Sequence, residues 1–105
     1  GRVALFSAKV EVRATAPGKV VFAGWNGKYG RMVEIRHGNG FKSRYGHLRK
    51  TLVKKGQQVD HRQKIGLLGN TGRSTGPHVH YEVWFKDRTM NPIKFIKAGK
   101  HVFKE

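Results

Sequence analysis

The sequence predicts an all-β fold, a mostly antiparallel sheet or sandwich. Short stretches of alternating polar and apolar residues, rich in β-branched and aromatic side chains, recur along the chain. Gly-rich turn signals separate them at regular intervals. A helix start is found only near the C-terminus. That pattern belongs to sheets, sandwiches and barrels. The 105 residues suit one domain with one modest core, with 98–105 as a tail. There is no internal repeat, low-complexity tract or linker.

Lys9 to Thr15 alternates, with Val10, Val12 and Ala14 on one face and Glu11, Arg13 and Thr15 on the other. Ala16-Pro17-Gly18-Lys19 is a turn, Pro being pre-set for its first corner. Val20 to Trp25 is the next strand, and Asn26-Gly27-Lys28-Tyr29-Gly30 a hairpin-type loop. Arg31 to Arg36 alternates again, Met32 competing with Val33 or Ile35 for the inner face. Gly38-Asn39-Gly40 turns the chain, Phe41 to His47 returns as a strand, and Leu48 to Lys55 is a connection. Lys55–Asp60 and Lys64–Gly69 read as two short strands joined by a basic turn. After the loop Gly69–Gly76, Pro77 to Trp84 is a strand. Asn91-Pro92 then caps a short C-terminal helix over Ile93–Lys97, ended near Gly99.

Charge dominates the composition. The chain has 22 Lys and Arg against 6 Asp and Glu, a formal net charge of +16. Such a surface attracts polyanions such as nucleic acid, anionic lipid or an acidic cell wall, or simply keeps the chain soluble. The basic residues are spread along the chain, and nothing matches a helix-turn-helix, a zinc finger or an aromatic-studded RNA-binding sheet. A specific nucleic-acid partner is therefore not expected. Cysteine is absent, which excludes disulfides and thiolate chemistry. No apolar run approaches the length of a membrane span, and residues 1–16 lack the pattern of a signal peptide. Anchoring to a membrane would need parts outside this chain. The Gly1 start reads as a trimmed or mature fragment.

The chemistry concentrates on histidine. In a Pro77–Trp84 strand, His78, His80 and Glu82 share one face, and the two imidazoles stand about 7 Å apart along the strand. Either they line a metal cleft or they are ordinary strand residues with satisfied hydrogen bonds. His47 follows Gly46, whose missing side chain would let a substrate or a metal-bound water approach. His37, His61 and His101 read as surface residues. A hydrolytic zinc site needs about three protein ligands and one open position for water. The metal lowers the pKa of that water, and neighbouring imidazoles move protons and stabilise the oxyanion. Glu82 is either a ligand or base, or the partner of an arginine. The loop Gly69–Gly76 lacks the Gly-Lys-Ser/Thr ending of a phosphate cradle. It suits a groove wall instead, where Asn70, Arg73, Ser74 and Thr75 would hydrogen-bond an extended peptide. No Ser sits in a nucleophile-elbow pattern.

Four segments together resemble a known family: Tyr45-Gly46-His47-Leu48, Lys55-Gly56-Gln57-Gln58-Val59, the run Gly69-Asn70-Thr71-Gly72-Arg73-Ser74-Thr75-Gly76-Pro77-His78-Val79-His80-Tyr81-Glu82, and Asn91-Pro92. They are similar to the lysostaphin-type (LytM-type) zinc metallopeptidases, over about Val12 to Phe95. The resemblance implies a small, mostly antiparallel β fold with a substrate groove. It implies one Zn2+ ion and hydrolysis of peptide cross-links in bacterial peptidoglycan. His80 would be a zinc ligand, while His47 and His78 would be catalytic without binding metal. The implied partners are peptidoglycan peptide stems, and the implied place is the cell envelope, periplasmic or extracellular.

One departure stands against this. The family takes two further zinc ligands from a His-x-x-x-Asp motif upstream of the segment that is Val12–Gly18 here, and Gly1–Glu11 contains neither His nor Asp. Gly1–Ala4 and Phe6–Ala8 resemble the pieces that flank the motif, so the N-terminal segment reads as incomplete. Either the protein carries the motif in residues left out between these pieces, or it has been engineered out, or it was lost naturally. Retention of His47, His78 and His80 favours the first. With one ligand left, zinc would bind weakly or not at all. The expected function is a zinc endopeptidase. The alternatives are a catalytically incomplete wall-binding or amidase-activating module and a charge-driven nucleic-acid binder.

Overall fold

The structure is a computed structural model that describes residues 11–69 and 79–90. Their strands are β1 (Glu11–Arg13), β2 (Gly18–Trp25), β3 (Arg31–Gly38), β4 (Phe41–Thr51), β5 (Gln58–Val59), β6 (Lys64–Leu68), β7 (His80–Phe85) and β8 (Arg88–Met90). A single 3-10 turn, Gly27–Tyr29, is the only helical element among the described residues. All pairings are antiparallel. The sheet runs β1-β6-β4-β3-β2-β5, and β7 lies on β4 with β8 beyond it. The all-β, antiparallel expectation matches this architecture. The expected helix over 93–97 lies outside the described residues.

The core follows the alternation. Val33 and Ile35 of β3 are fully buried beside Tyr45 and Leu48 of β4, Val20 of β2 and Ile65 of β6. Burying each such aliphatic side chain is worth about 1.5–3 kcal/mol against leaving it in water. The competition on β3 resolves by parity. Val33 and Ile35 join the core cluster, whereas Met32 is buried apart from it, its sulfur accepting from Asn26 Nδ2 at 3.7 Å.

One sequence expectation is corrected and another is refined. Strand β4 does not end at His47 but continues to Thr51. Its first half pairs with β7, up to Gly46 opposite His80, and its second half pairs with β6, from Leu48 opposite Leu68. The Gly-His pair that looked like a strand end is therefore a change of partner inside one strand. The two short strands expected around the basic turn are present as β5 and β6, but they do not pair with one another. β5 adds to the edge of β2, while β6 lies between β1 and β4. Their hydrophobic residues, Val59 and Ile65, reach the same core from different places in the sheet.

Candidate active site

The partner change in β4 builds the site. Tyr45 and Leu48 are both fully buried in the core although they are three residues apart. A regular strand has period two, so the stretch between them must carry one extra residue. The pairing shows it, with Val33 opposite Tyr45 and Arg31 opposite Leu48. His47 absorbs the extra step with φ 60°, a left-handed conformation uncommon for a residue with a side chain. Such strain persists where the surroundings over-determine it, and it clusters at functional sites.

This bend sets the His47 ring beside that of His80, with centroids 5.7 Å apart and planes at 75°. His47 is buried, while His80 is partly open. On the other side of His80 stands Tyr29, with ring centroids 5.7 Å apart. Gly46 permits this arrangement. A Cβ there would lie 3.3 Å from both Cδ1 and the carbonyl oxygen of Tyr29. The space beside His47 that the sequence assigned to substrate is thus taken by Tyr29.

Glu82 ties these side chains together. Its Oε2 accepts from His80 Nε2 at 2.8 Å, and its Oε1 accepts from Tyr29 OH at 2.9 Å and from Trp84 Nε1 at 3.0 Å. Arg44, directly across on β4, brings Nη1 to 4.0 Å of Oε1 and donates to Tyr29 OH at 3.2 Å. The Arg44 guanidinium lies over the Trp84 ring at 4.6 Å. Partial burial pushes the Glu82 carboxyl up, but hydrogen bonds from His80, Trp84 and Tyr29 outweigh it and hold the group below its ordinary value. An ionised carboxylate only accepts, so His80 Nε2 carries the proton of this bond. In the neutral ring the remaining nitrogen, Nδ1, is then the acceptor that can meet a metal or a reacting group. Both sequence readings of Glu82 touch this arrangement: it does pair with an arginine, and its main partner is the histidine.

Of the candidate site residues, His47 and His80 come together. His78, Asn70, Arg73, Ser74 and Thr75 lie outside the described residues, as does His101. His61 is exposed. His37, read as a surface residue, is half-buried, hydrogen-bonded to Pro17 O at 2.8 Å and to Ser43 Oγ at 2.6 Å. Tyr29, Arg44 and Trp84 were not singled out from the sequence. Parity alone reaches two of them, since Trp84 shares the His80–Glu82 face and Arg44 shares that of Gly46. Tyr29 comes from a loop, and no periodicity marks it.

Among the described residues, no group of three or more His, Cys, Asp or Glu is placed to hold an ion. Glu82 orients His80 as second-sphere carboxylates orient metal-binding imidazoles. One such imidazole does not make the three-ligand centre that hydrolytic zinc requires. The described side chains therefore fit a part of a zinc site and not a whole one.

Comparison with known proteins supplies the wider setting. The profile described as peptidase family M23 matches residues 3–92. The chain is 57% identical over 65 residues to the peptidoglycan DD-endopeptidase ShyA of Vibrio cholerae, covering 62% of this chain and 15% of that protein. A solved zinc-containing peptidase from Vibrio cholerae matches with a TM-score of 0.68 and 47% identity, over 71% of this chain and 23% of the other. The catalytic domain of the antimicrobial peptidase lysostaphin from Staphylococcus simulans matches with a TM-score of 0.83 and 32% identity, over 89% of this chain and 74% of the other. The chain thus spans less than a quarter of the length of the first two. The fold, the His47–His80 ring pair and the match along 3–92 agree: this chain belongs to peptidase family M23.

Proposed function

We propose that this chain is the peptidase domain of a zinc-dependent endopeptidase that hydrolyses peptide cross-links of bacterial peptidoglycan at the cell envelope. The observation that carries the reading is the pair of imidazoles, with ring centroids 5.7 Å apart, one set by the strained backbone at His47 and the other held by the Glu82 carboxylate at His80. The names of the similar proteins, a peptidoglycan DD-endopeptidase and a zinc-containing peptidase, support the substrate class and the metal. The basic surface, +16 overall, suits a mesh rich in carboxylates.

The described residues do not complete a metal centre, so the roles assigned are those of side chains. His80 presents Nδ1 to the cleft, with its ring direction set by Glu82. His47, edge-on to it, is placed to exchange a proton with a group bound between them and to stabilise developing negative charge. His78, at the start of the same strand by sequence, would add a third imidazole.

The second reading is a catalytically incomplete module of the same fold that binds wall or activates an amidase. It is favoured by one observation, the lack of His and Asp in residues 1–11. Zinc content and the clearing of purified cell walls separate the two. The endopeptidase reading expects about one zinc per full-length protein and a loss of turbidity that His80→Ala abolishes. Clearing that persists in His80→Ala contradicts the site. Wall binding with neither zinc nor clearing establishes the second reading.

A further inference from the structure

A second concavity opens where β4 passes from β7 to β6. It has a volume of about 560 Å³ and is lined by Arg31, Arg49, Lys50, Thr51 and Leu67. No lining residue is acidic, and Arg31, Arg49 and Lys50 are exposed. The register explains the convergence. Arg31 of β3 lies opposite Leu48, and Lys50 lies opposite Leu67 of β6, so β3 and β4 bring their cations to one place beside Leu67. Gly69 packs on the backbone of Arg49, where a Cβ would come within 2.5 Å of the Arg49 nitrogen. Arg49 is two residues from His47 on β4, so a lining residue of the concavity lies close to the candidate site along the strand.

We propose that this concavity is an anion subsite that takes a free carboxylate of a peptide bound across the His47–His80 cleft. The proposal rests on the peptidase reading and adds a specificity element to it. Guanidinium groups match the geometry of a carboxylate and bind it in bidentate fashion. Thr51 can add a hydroxyl donor, and Leu67 supplies an apolar wall for the carbon stem that carries the charge. The volume exceeds what a small ion needs and suits an acidic side chain or chain terminus. An acidic substrate thereby gains both affinity and register on the cleft.

Binding measured by calorimetry on the full-length protein tests this without relying on turnover. The probes are a cross-linked peptidoglycan peptide dimer with free carboxylates and the same dimer with those carboxylates amidated. The wild type is expected to bind the free form about tenfold more tightly, the size of one exposed charge-assisted contact. The double variant Arg49→Gln/Lys50→Gln is expected to bind both forms alike, and Arg49→Lys/Lys50→Arg to keep the preference. Both positions are exposed, so the fold should tolerate these changes. If the enzyme turns over, the preference should appear in KM and leave kcat unchanged. Equal binding of the two dimers by the wild type, or a preference that survives the Gln variant, overturns the subsite. So does a Gln variant whose only loss is binding of duplex DNA. A protein that discriminates the dimers but never hydrolyses them supports the subsite and removes the peptidase reading.

Discussion

Two polar networks sit on opposite faces of β4, and they are wired differently. On the core face a chain runs from Thr15 to Tyr45 to Ser43 to His37 to Pro17. Its hydrogen bonds are 2.8 Å between the Thr15 and Tyr45 hydroxyls, 2.7 Å from Tyr45 to Ser43, 2.6 Å from Ser43 to His37 and 2.8 Å from His37 to the Pro17 carbonyl. The direction is fixed from one end. A carbonyl only accepts, so His37 Nδ1 donates, its neutral Nε2 accepts from Ser43, and Ser43 accepts from Tyr45. On the other face the hydrogen bonds converge, Arg44 through Tyr29 OH included. His80, Tyr29 and Trp84 all donate to one carboxylate, Glu82. A neutral relay costs little to bury and pins strands together. A charged hub keeps one imidazole in one orientation while leaving its other nitrogen available. The same strand thus serves stability on one side and chemistry on the other.

Substitutions that separate the two faces can break this contrast. The largest effect is expected from Glu82→Ala, which frees the His80 ring. On the endopeptidase reading, wall-clearing activity should fall about 10–100-fold, the usual cost of losing a group that orients a metal-binding histidine. Unfolding by denaturant should show a much smaller change, because Glu82 is partly solvent-exposed. Tyr45→Phe should do the reverse. It removes the hydroxyl that accepts from Thr15 N at 3.0 Å and donates to Ser43, leaving buried groups unpaired at a cost of about 1–3 kcal/mol. Activity per folded molecule should hold.

Gly46→Ala comes next, because it pushes Tyr29 by a few tenths of an ångström and so touches the hub indirectly. Activity should fall by less than in Glu82→Ala, with the His80 environment shifted in NMR spectra. The smallest effect is a pH dependence from the relay. Burial lowers the His37 pKa, and the Pro17 carbonyl only partly offsets this. Below about pH 6.5 the unfolded chain therefore takes a proton that the folded chain resists. The stability His37 contributes is present above that pH and is lost as pH falls toward the folded-state value. The unfolding midpoint of the wild type should drop more between pH 7.5 and 5.5 than that of His37→Gln, which has no proton to take there.

The sequence showed the strands because their period-two pattern is local, and it placed His80 and Glu82 on one face of a strand because that parity is local too. It concealed what depends on register. The turn-like Tyr45-Gly46-His47-Leu48 gave no sign that β4 continues past His47 on a new neighbour, because the cause is competition between β6 and β7 for one edge. His37 read as surface because Pro17 and Ser43 reach it only after β2, β3 and β4 pair. The role of Gly46 was misplaced for the same reason, since the atoms that fill its space belong to Tyr29, 17 residues earlier.

The proton on His80 is the most direct test of the cleft. Long-range nitrogen–proton NMR on the metal-free full-length protein at neutral pH distinguishes the two neutral imidazole tautomers. His80 should carry its proton on Nε2, and Glu82→Ala should release that preference. A proton fixed on Nδ1, or a preference indifferent to Glu82, would contradict the carboxylate's hold on the ring and the orientation it gives the site.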